Sequence, residues 1–142
     1  MTTVKHILET KGHEVWAVSP DASLLSALKL MAEKEVGALV VLEEGRVVGI
    51  ISERDYARKV MLLGKTTEQM RTGDIMTAPV VGVRPEQTVE ECMELVTQKR
   101  IRHLPVLEGD RLVGLVSIGD LVKTLLEEQQ FKIAQLEHYI TG

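Results

Sequence analysis

Two short stretches carry the residue types that chemistry needs: Gly49-Ile50-Ile51-Ser52-Glu53-Arg54-Asp55 and Gly114-Leu115-Val116-Ser117-Ile118-Gly119-Asp120. Each closes an apolar run with a hydroxyl and, three residues later, a carboxylate. At a strand-to-helix junction this spacing has two readings. One is a capping box, in which serine closes the helix end and the acid reaches back to the serine amide. The other is a ligand site. Free amides and the positive dipole end at a helix start attract phosphate, and a carboxylate accepts hydrogen bonds from vicinal ribose hydroxyls. The two readings are compatible. A glycine inside a strand marks close approach of a ligand or of other backbone.

Positive charge is distributed unequally between the two stretches. The first holds Arg54 where the second holds Gly119. Upstream, the second has Arg102-His103 where the first has Gly37-Ala38. Brought together, the two would build one shared, asymmetric anion pocket. Taken singly, Arg54 and Arg102 read equally well as solvated surface charges, and His103 more readily as a satisfied buried imidazole than as a ligand group. Pro105 has no N–H for a sheet ladder, which points to a strand edge or bulge beside an opening. Trp16 either lines a cleft for a flat base or plugs the core.

The elements that must position these residues are doubled. Sliding the chain by 65 residues lays 18–61 over 83–126 without a gap, and 13 of those 44 positions are identical. Two copies are too few for a solenoid, so they read as two halves packed by pseudo-twofold symmetry. In each, a short strand ends near Val18 or Val83. Apolar residues then follow at helical spacing: Leu24, Ala27, Leu28 and Met31 in one copy, Val89, Cys92, Met93 and Val96 in the other. Ser23 and Thr88 stand at the N-cap position. Two short apolar runs joined by a glycine-containing turn predict a hairpin, and a second helix starts after Ser52 and after Ser117. Each copy is therefore β-α-β-β-α, giving an α+β chain. Its uniformly apolar runs predict sheets covered on both faces. The expected boundaries are residues 1–63 for the first repeat, 64–72 for a linker, 73–128 for the second repeat and 129–142 for a helical extension. Residues 64–77 read as a polar connector. Late in the last helix, Ile133, Leu136 and Ile140 share one side, suited either to the helix's own domain or to a second subunit.

Composition excludes several classes. The chain has 142 residues, 44% hydrophobic and 27% charged, close to the globular average. Its one cysteine, Cys92, forbids an internal disulfide and fits a reducing, cytoplasmic setting. A net charge of −4 argues against general affinity for nucleic acid or anionic membrane. Only Trp16, Tyr56, Phe131 and Tyr139 are aromatic, too few for a single-strand stacking platform. No apolar run nears the roughly 18 residues of a membrane span, and the start of the chain lacks a signal-peptide pattern. Phosphate loops, dinucleotide fingerprints, Cys-x-x-Cys and His-Glu-x-x-His are missing. The histidines are scattered and no metal site is expected. Nothing points to a catalytic residue.

The doubled Gly-h-h-Ser-x-x-Asp, the run Arg102-His103-Leu104-Pro105-Val106 and Asp74-Ile75-Met76-Thr77 resemble the CBS-domain pair, or Bateman module, over nearly the whole chain. Ser52-Glu53-Arg54-Asp55-Tyr56-Ala57-Arg58-Lys59 is similar to short stand-alone bacterial members. The resemblance implies regulatory binding of adenosine ligands in clefts between the halves, with AMP and NAD(H) ahead of ADP, ATP and S-adenosylmethionine. It implies that Asp55 and Asp120 each hold a ribose. Ser52 and Ser117 would approach phosphate or ribose oxygens, and Arg102 and His103 would meet phosphates. Residues around Trp16, and those from Thr77 through Pro79 to Val81, would line the adenine. It further implies a homodimer, an effector protein acting in trans, no catalytic cofactor and no enzymatic activity. The alternative is a dimerisation scaffold without a physiological ligand. Gly37-Ala38, in place of a basic pair, implies that the two sites differ in ligand or affinity, up to one of them being empty.

Overall fold

The computed structural model describes residues 2–141. The chain runs α1 (Val4–Lys11), β1 (Ala17–Val18), α2 (Leu24–Lys34), β2 (Ala38–Glu43), β3 (Arg46–Ser52), α3 (Glu53–Tyr56) and a π-helical turn (Ala57–Met61). It continues with α4 (Thr72–Ile75), α5 (Val89–Lys99), β4 (His103–Glu108), β5 (Arg111–Ser117) and α6 (Ile118–Thr141). The caps of α2 and α5 are those the sequence implies. Ser23 Oγ accepts from the Ser26 amide and Thr88 Oγ1 from the Glu91 amide, each at 3.1 Å. Both helices end in a left-handed residue, Glu35 and Arg100, which are themselves 65 apart.

Each half builds an antiparallel hairpin, β2–β3 and β4–β5, with matching irregularities at Val41/Leu42 and Val106/Leu107. The first turn places Glu44 and Gly45 both at positive φ, as a tight two-residue hairpin turn demands. The sheets are less completely covered than their apolar runs predict. β2 and β4 are buried along most of their length, whereas β3 and β5 alternate, with one face half-exposed.

Pro105 separates the two sheets. In the first half, β1 lies parallel to β2, and the Val40 amide donates to the Trp16 carbonyl at 3.1 Å. Pro105 occupies the position equivalent to Val40 and has no amide to donate. The expected first strand of the second half therefore shrinks to one bridge between Val83 and Val106. Pro105 does face away from β5, as an edge proline should, but it is buried inside β4.

The halves are laced together by the segments that precede them. α1 does not pack on the first core. Val4, Ile7 and Leu8 are buried with Val83, Val89, Cys92, Leu104, Val116 and Leu121 of the second half. Residues 64–77, read as a polar connector, end instead in α4, whose Thr72 and Ile75 are buried. Ile75, with Met70 and Met76 beside it, packs on the first core. The two leader segments are related by 68 residues rather than 65, so an ungapped comparison misses them. Their backbone bonds agree: Leu24 N to Met70 O mirrors Val89 N to Thr2 O, and Thr72 N to Ala22 O mirrors Val4 N to Gln87 O.

The last helix settles the open choice about its tail. Leu121 is buried and Leu125 packs on the second core, but every residue from 129 to 140 is exposed. The tail does not pack on its own domain.

Candidate functional site

β3 and β5 touch each other, which brings the two Ser-x-x-Asp junctions to one region. Both are complete capping boxes. In the first, the Ser52 amide donates to Asp55 Oδ2 at 3.0 Å and the Asp55 amide donates to Ser52 Oγ at 3.1 Å. In the second, the Ser117 amide donates to Asp120 Oδ2 at 2.8 Å and the Asp120 amide to Ser117 Oγ at 3.1 Å. The first amide of each helix is also taken, Glu53 N by Gly37 O and Ile118 N by Arg102 O. Two of the first three helix amides are thus spent on protein. An anion arriving here meets side-chain cations more than a bare helix end.

The remaining carboxylate capacity is held differently in the two halves. Asp55 Oδ1 accepts from Thr77 Oγ1 at 2.9 Å and pairs with Lys59 Nζ at 3.2 Å. Thr77 also exchanges both backbone hydrogen bonds with Ile50. On the other side, Lys11 Nζ does both jobs. It reaches Asp120 Oδ2 at 2.6 Å and donates to the Leu115 carbonyl, the counterpart of Ile50, at 2.8 Å. Asp120 is accordingly held below the usual carboxylate range. Burial alone would raise it, but the hydrogen bonds from Lys11 and Ser117 outweigh that.

The basic residues converge from opposite halves. Arg54 is lowered from the ordinary arginine value by partial loss of solvent, and then by the like charges of Arg58 and Arg102. Arg54 of the first half and Arg102 of the second therefore feel one another. His103 stands opposite Ser117 in the β4–β5 ladder. Burial pushes its imidazole down, Lys11 and Arg102 push it further, and Asp120 and Asp55 partly restore it. Trp16 packs against the first core with Lys34 Nζ 4.4 Å from its ring centre, a cation–π contact. Val81 packs on the second core, while Thr77 and Pro79 are exposed.

Both motif glycines mark close approach, and the neighbour is the chain itself. A Cβ on Gly49 would lie 2.6 Å from Met76 Sδ, and one on Gly114 2.6 Å from a Leu8 methyl. The leader segments demand these glycines. The sequence reading missed Lys11 and Lys59. Lys59 was accessible as an i, i+4 partner of Asp55; Lys11 lies 109 residues from Asp120 and left no local signal. Two grooves stand out on the surface; the first lies away from these residues and the second reaches Asp120 and Lys11 of the second junction. One of about 550 Å³ involves His13, Arg84 and Glu108. Another of about 850 Å³ runs between α1 and α6 and includes Lys11, Asp120 and Phe131. Among the described residues no cluster of acids, histidines and cysteine could hold a metal ion, and no helix is long and apolar enough to cross a membrane.

The profile of the CBS domain matches twice, at residues 4–62 and 73–127. The chain belongs to the CBS domain family. As a CBS pair it is 37% identical over 151 residues to the mitochondrial CBS domain-containing protein CBSX3 of Arabidopsis thaliana, covering 99% of this chain and 73% of that protein. It superposes on a putative signal-transduction protein with CBS domains from Burkholderia ambifaria with a TM-score of 0.84. That match has 47% identity and covers 90% of this chain and 96% of the other. A structure of CBSX2 in complex with AMP matches with a TM-score of 0.73 and 26% identity, covering 91% of this chain and 99% of that one. The tandem arrangement of two CBS repeats is thus shared with solved CBS-domain structures, and AMP binding occurs among them.

Proposed function

We propose that this CBS pair is a regulatory module, rather than an enzyme, that binds an adenosine nucleotide between its halves. AMP is the leading ligand, ahead of NAD(H) and ATP. The observation that carries the reading is the contact of β3 with β5, which brings the two Ser-x-x-Asp junctions together, with Arg54, Arg102 and His103 near enough to act on one another's charges and on those of Asp55 and Asp120. Neither half contains that set alone. Asp55 and Asp120 accept the ribose hydroxyls, Ser52 and Ser117 stand beside them, and Arg54, Arg102 and His103 receive the phosphate. Thr77, Pro79 and Val81 line one base and Trp16 the other. AMP in the CBSX2 structure supports the ligand class.

The sites are unequal. Asp55 is held by a threonine hydroxyl and a partly exposed lysine, Asp120 by a short ion pair that a ligand must displace. The first site is therefore the tighter one. Binding acts on an effector in trans by favouring one relative setting of the halves, which requires different affinities for the two settings. Exposed Leu25, Met61, Leu62 and Leu63 suit a homodimer. A second reading, a scaffold without ligand, is favoured by both carboxylates already being engaged within the protein.

The test is a thermal-shift titration with AMP, ATP, NAD, NADH and S-adenosylmethionine. A ligand at about 100 times its dissociation constant stabilises the native state by roughly 2.7 kcal/mol, or about 5–10 °C for a chain of this size. Asp55→Asn and Asp120→Asn are the right controls, because the amide oxygen can still accept from the serine N–H of the capping box while the negative charge is removed. A shift lost in one of them assigns the cleft. No shift with any nucleotide makes the scaffold the better reading.

A further inference from the structure

Beyond residue 128 the last helix projects from the body, and its apolar residues are not scattered. Val122, Leu126, Gln129, Ile133, Leu136 and Ile140 follow at spacings of 4, 3, 4, 3 and 4. That is the a/d seam of a heptad repeat, with Leu126, Ile133 and Ile140 at a and Val122, Gln129 and Leu136 at d. All six are exposed, Val122 at 41%, Ile133 at 53% and Ile140 at 80%. The seam is distinct from the sides of the helix already in use. Ile118, Leu121 and Leu125 face the second core. Lys123, Thr124, Glu127, Phe131 and, at its edge, Lys132 line the groove against α1, and none of the seam residues does.

We propose that residues 122–140 of α6 pair in parallel and in register with the same residues of a second copy, as a short two-stranded coiled coil. Three observations select this occupant. Isoleucine at a with leucine at d, as in Ile133, Leu136 and Ile140, favours two strands. A single polar residue, Gln129, interrupts the seam, and only the in-register pairing sets it against its own copy and off the apolar positions. The flanking charges fix direction. Lys132 is at g and Glu137 at the following e, so a parallel pair sets Lys132 of each copy against Glu137 of the other, twice by symmetry. An antiparallel pair would set g against g and e against e, separating these opposite charges. The projecting part is also too short to be a stable helix in isolation, and apolar burial against a second copy supplies what its own domain does not. This inference does not depend on nucleotide binding.

The test uses the full chain with Leu126→Cys or Leu136→Cys. Both sites are exposed in the single chain, so the body folds as in the parent, and a cysteine at one seam position leaves the other five in place. Cys92 is fully buried and stays silent. Under mild oxidation with glutathione disulfide each variant alone should form a covalent dimer through its new cysteine. Adding Ile133→Asp should cut that yield at least ten-fold. Sedimentation equilibrium of the parent should give a dimer whose dissociation constant rises at least ten-fold on Ile133→Asp. A parent that stays monomeric overturns the proposal. So does failure of either single variant to link with itself, cross-links only between the two variants in a mixture (an antiparallel pair), or cross-links indifferent to Ile133→Asp.

Discussion

Asp55 and Asp120 each carry a cap and, in the proposed function, a ribose. Replacing either with alanine therefore mixes two losses. The hydrogen bond that Asp120 accepts from the Ser117 amide is worth about 1 kcal/mol, so Asp120→Ala should lower the unfolding free energy by roughly that amount, read as a shifted urea midpoint, with or without a ligand. Asp120→Asn should leave stability nearer the parent while still weakening the second site. Lys11 acts in the opposite direction. Lys11→Met removes the ion pair that competes for Asp120, and a partly exposed pair of this kind is worth about 0.2–1 kcal/mol. Nucleotide affinity at the second site should rise by up to about five-fold, measured by calorimetry, while the first site is unmoved. His103 supplies a pH signature. Its folded pKa lies below 6.5 because of burial, Lys11 and Arg102, so the unfolded chain binds its proton first. Stability is then lost as pH falls from 6.5 towards the folded value. His103→Gln should flatten the stability profile between pH 7 and 5; an unchanged slope would remove His103 from the account. The motifs were legible at this scale because a cap spans three residues. Lys11 was not, because its contact exists only after the two ends of the chain meet.

Helices and strands were legible where a repeat and a period reinforced one another. Val89, Cys92, Met93 and Val96 repeat the spacing of Leu24, Ala27, Leu28 and Met31, and both stretches are helices with the expected caps. The second half's first strand was not legible from its own residues. Whether it forms depends on an amide 22 positions away, which Pro105 lacks. The glycines in β3 and β5 announced a close neighbour without saying which. Leu8 is buried and branched, so a methyl on Gly114 has nowhere to go. Overpacking of this kind costs about 1–3 kcal/mol. Met76 is half-exposed and flexible, so its thioether can swing aside, which leaves the Thr77 carbonyl at 3.1 Å to give by a few tenths of an ångström. Gly114→Ala should therefore destabilise more than Gly49→Ala, and Leu8→Ala in the same chain should recover part of the Gly114→Ala loss. Equal costs in urea titration would contradict the leader-packing account.

At the scale of the whole molecule, the repeat boundaries in sequence are not the boundaries of the packing. α1 belongs to the second core and α4 to the first. Leu8→Ala, though it lies before the first repeat's strands, should cost about 2–5 kcal/mol through the second core. Fragments 1–66 and 67–142 each lack the leader that completes their core. Neither should show a cooperative unfolding transition alone, and their equimolar mixture should recover one. The 65-residue offset revealed two halves, but the 68-residue offset of their leaders hid the lacing, because those leaders share shape and hydrogen bonds more than identity.

The lacing also changes what residues 64–69 are for. Each core is completed by a segment supplied from the far side, so the connecting loop holds no core together by its own contacts. It works as a tether that keeps one half at high effective concentration near the other. A protease nick there should leave a body that is still assembled and whose melting temperature now depends on protein concentration. The one chain would then behave as a complex of two.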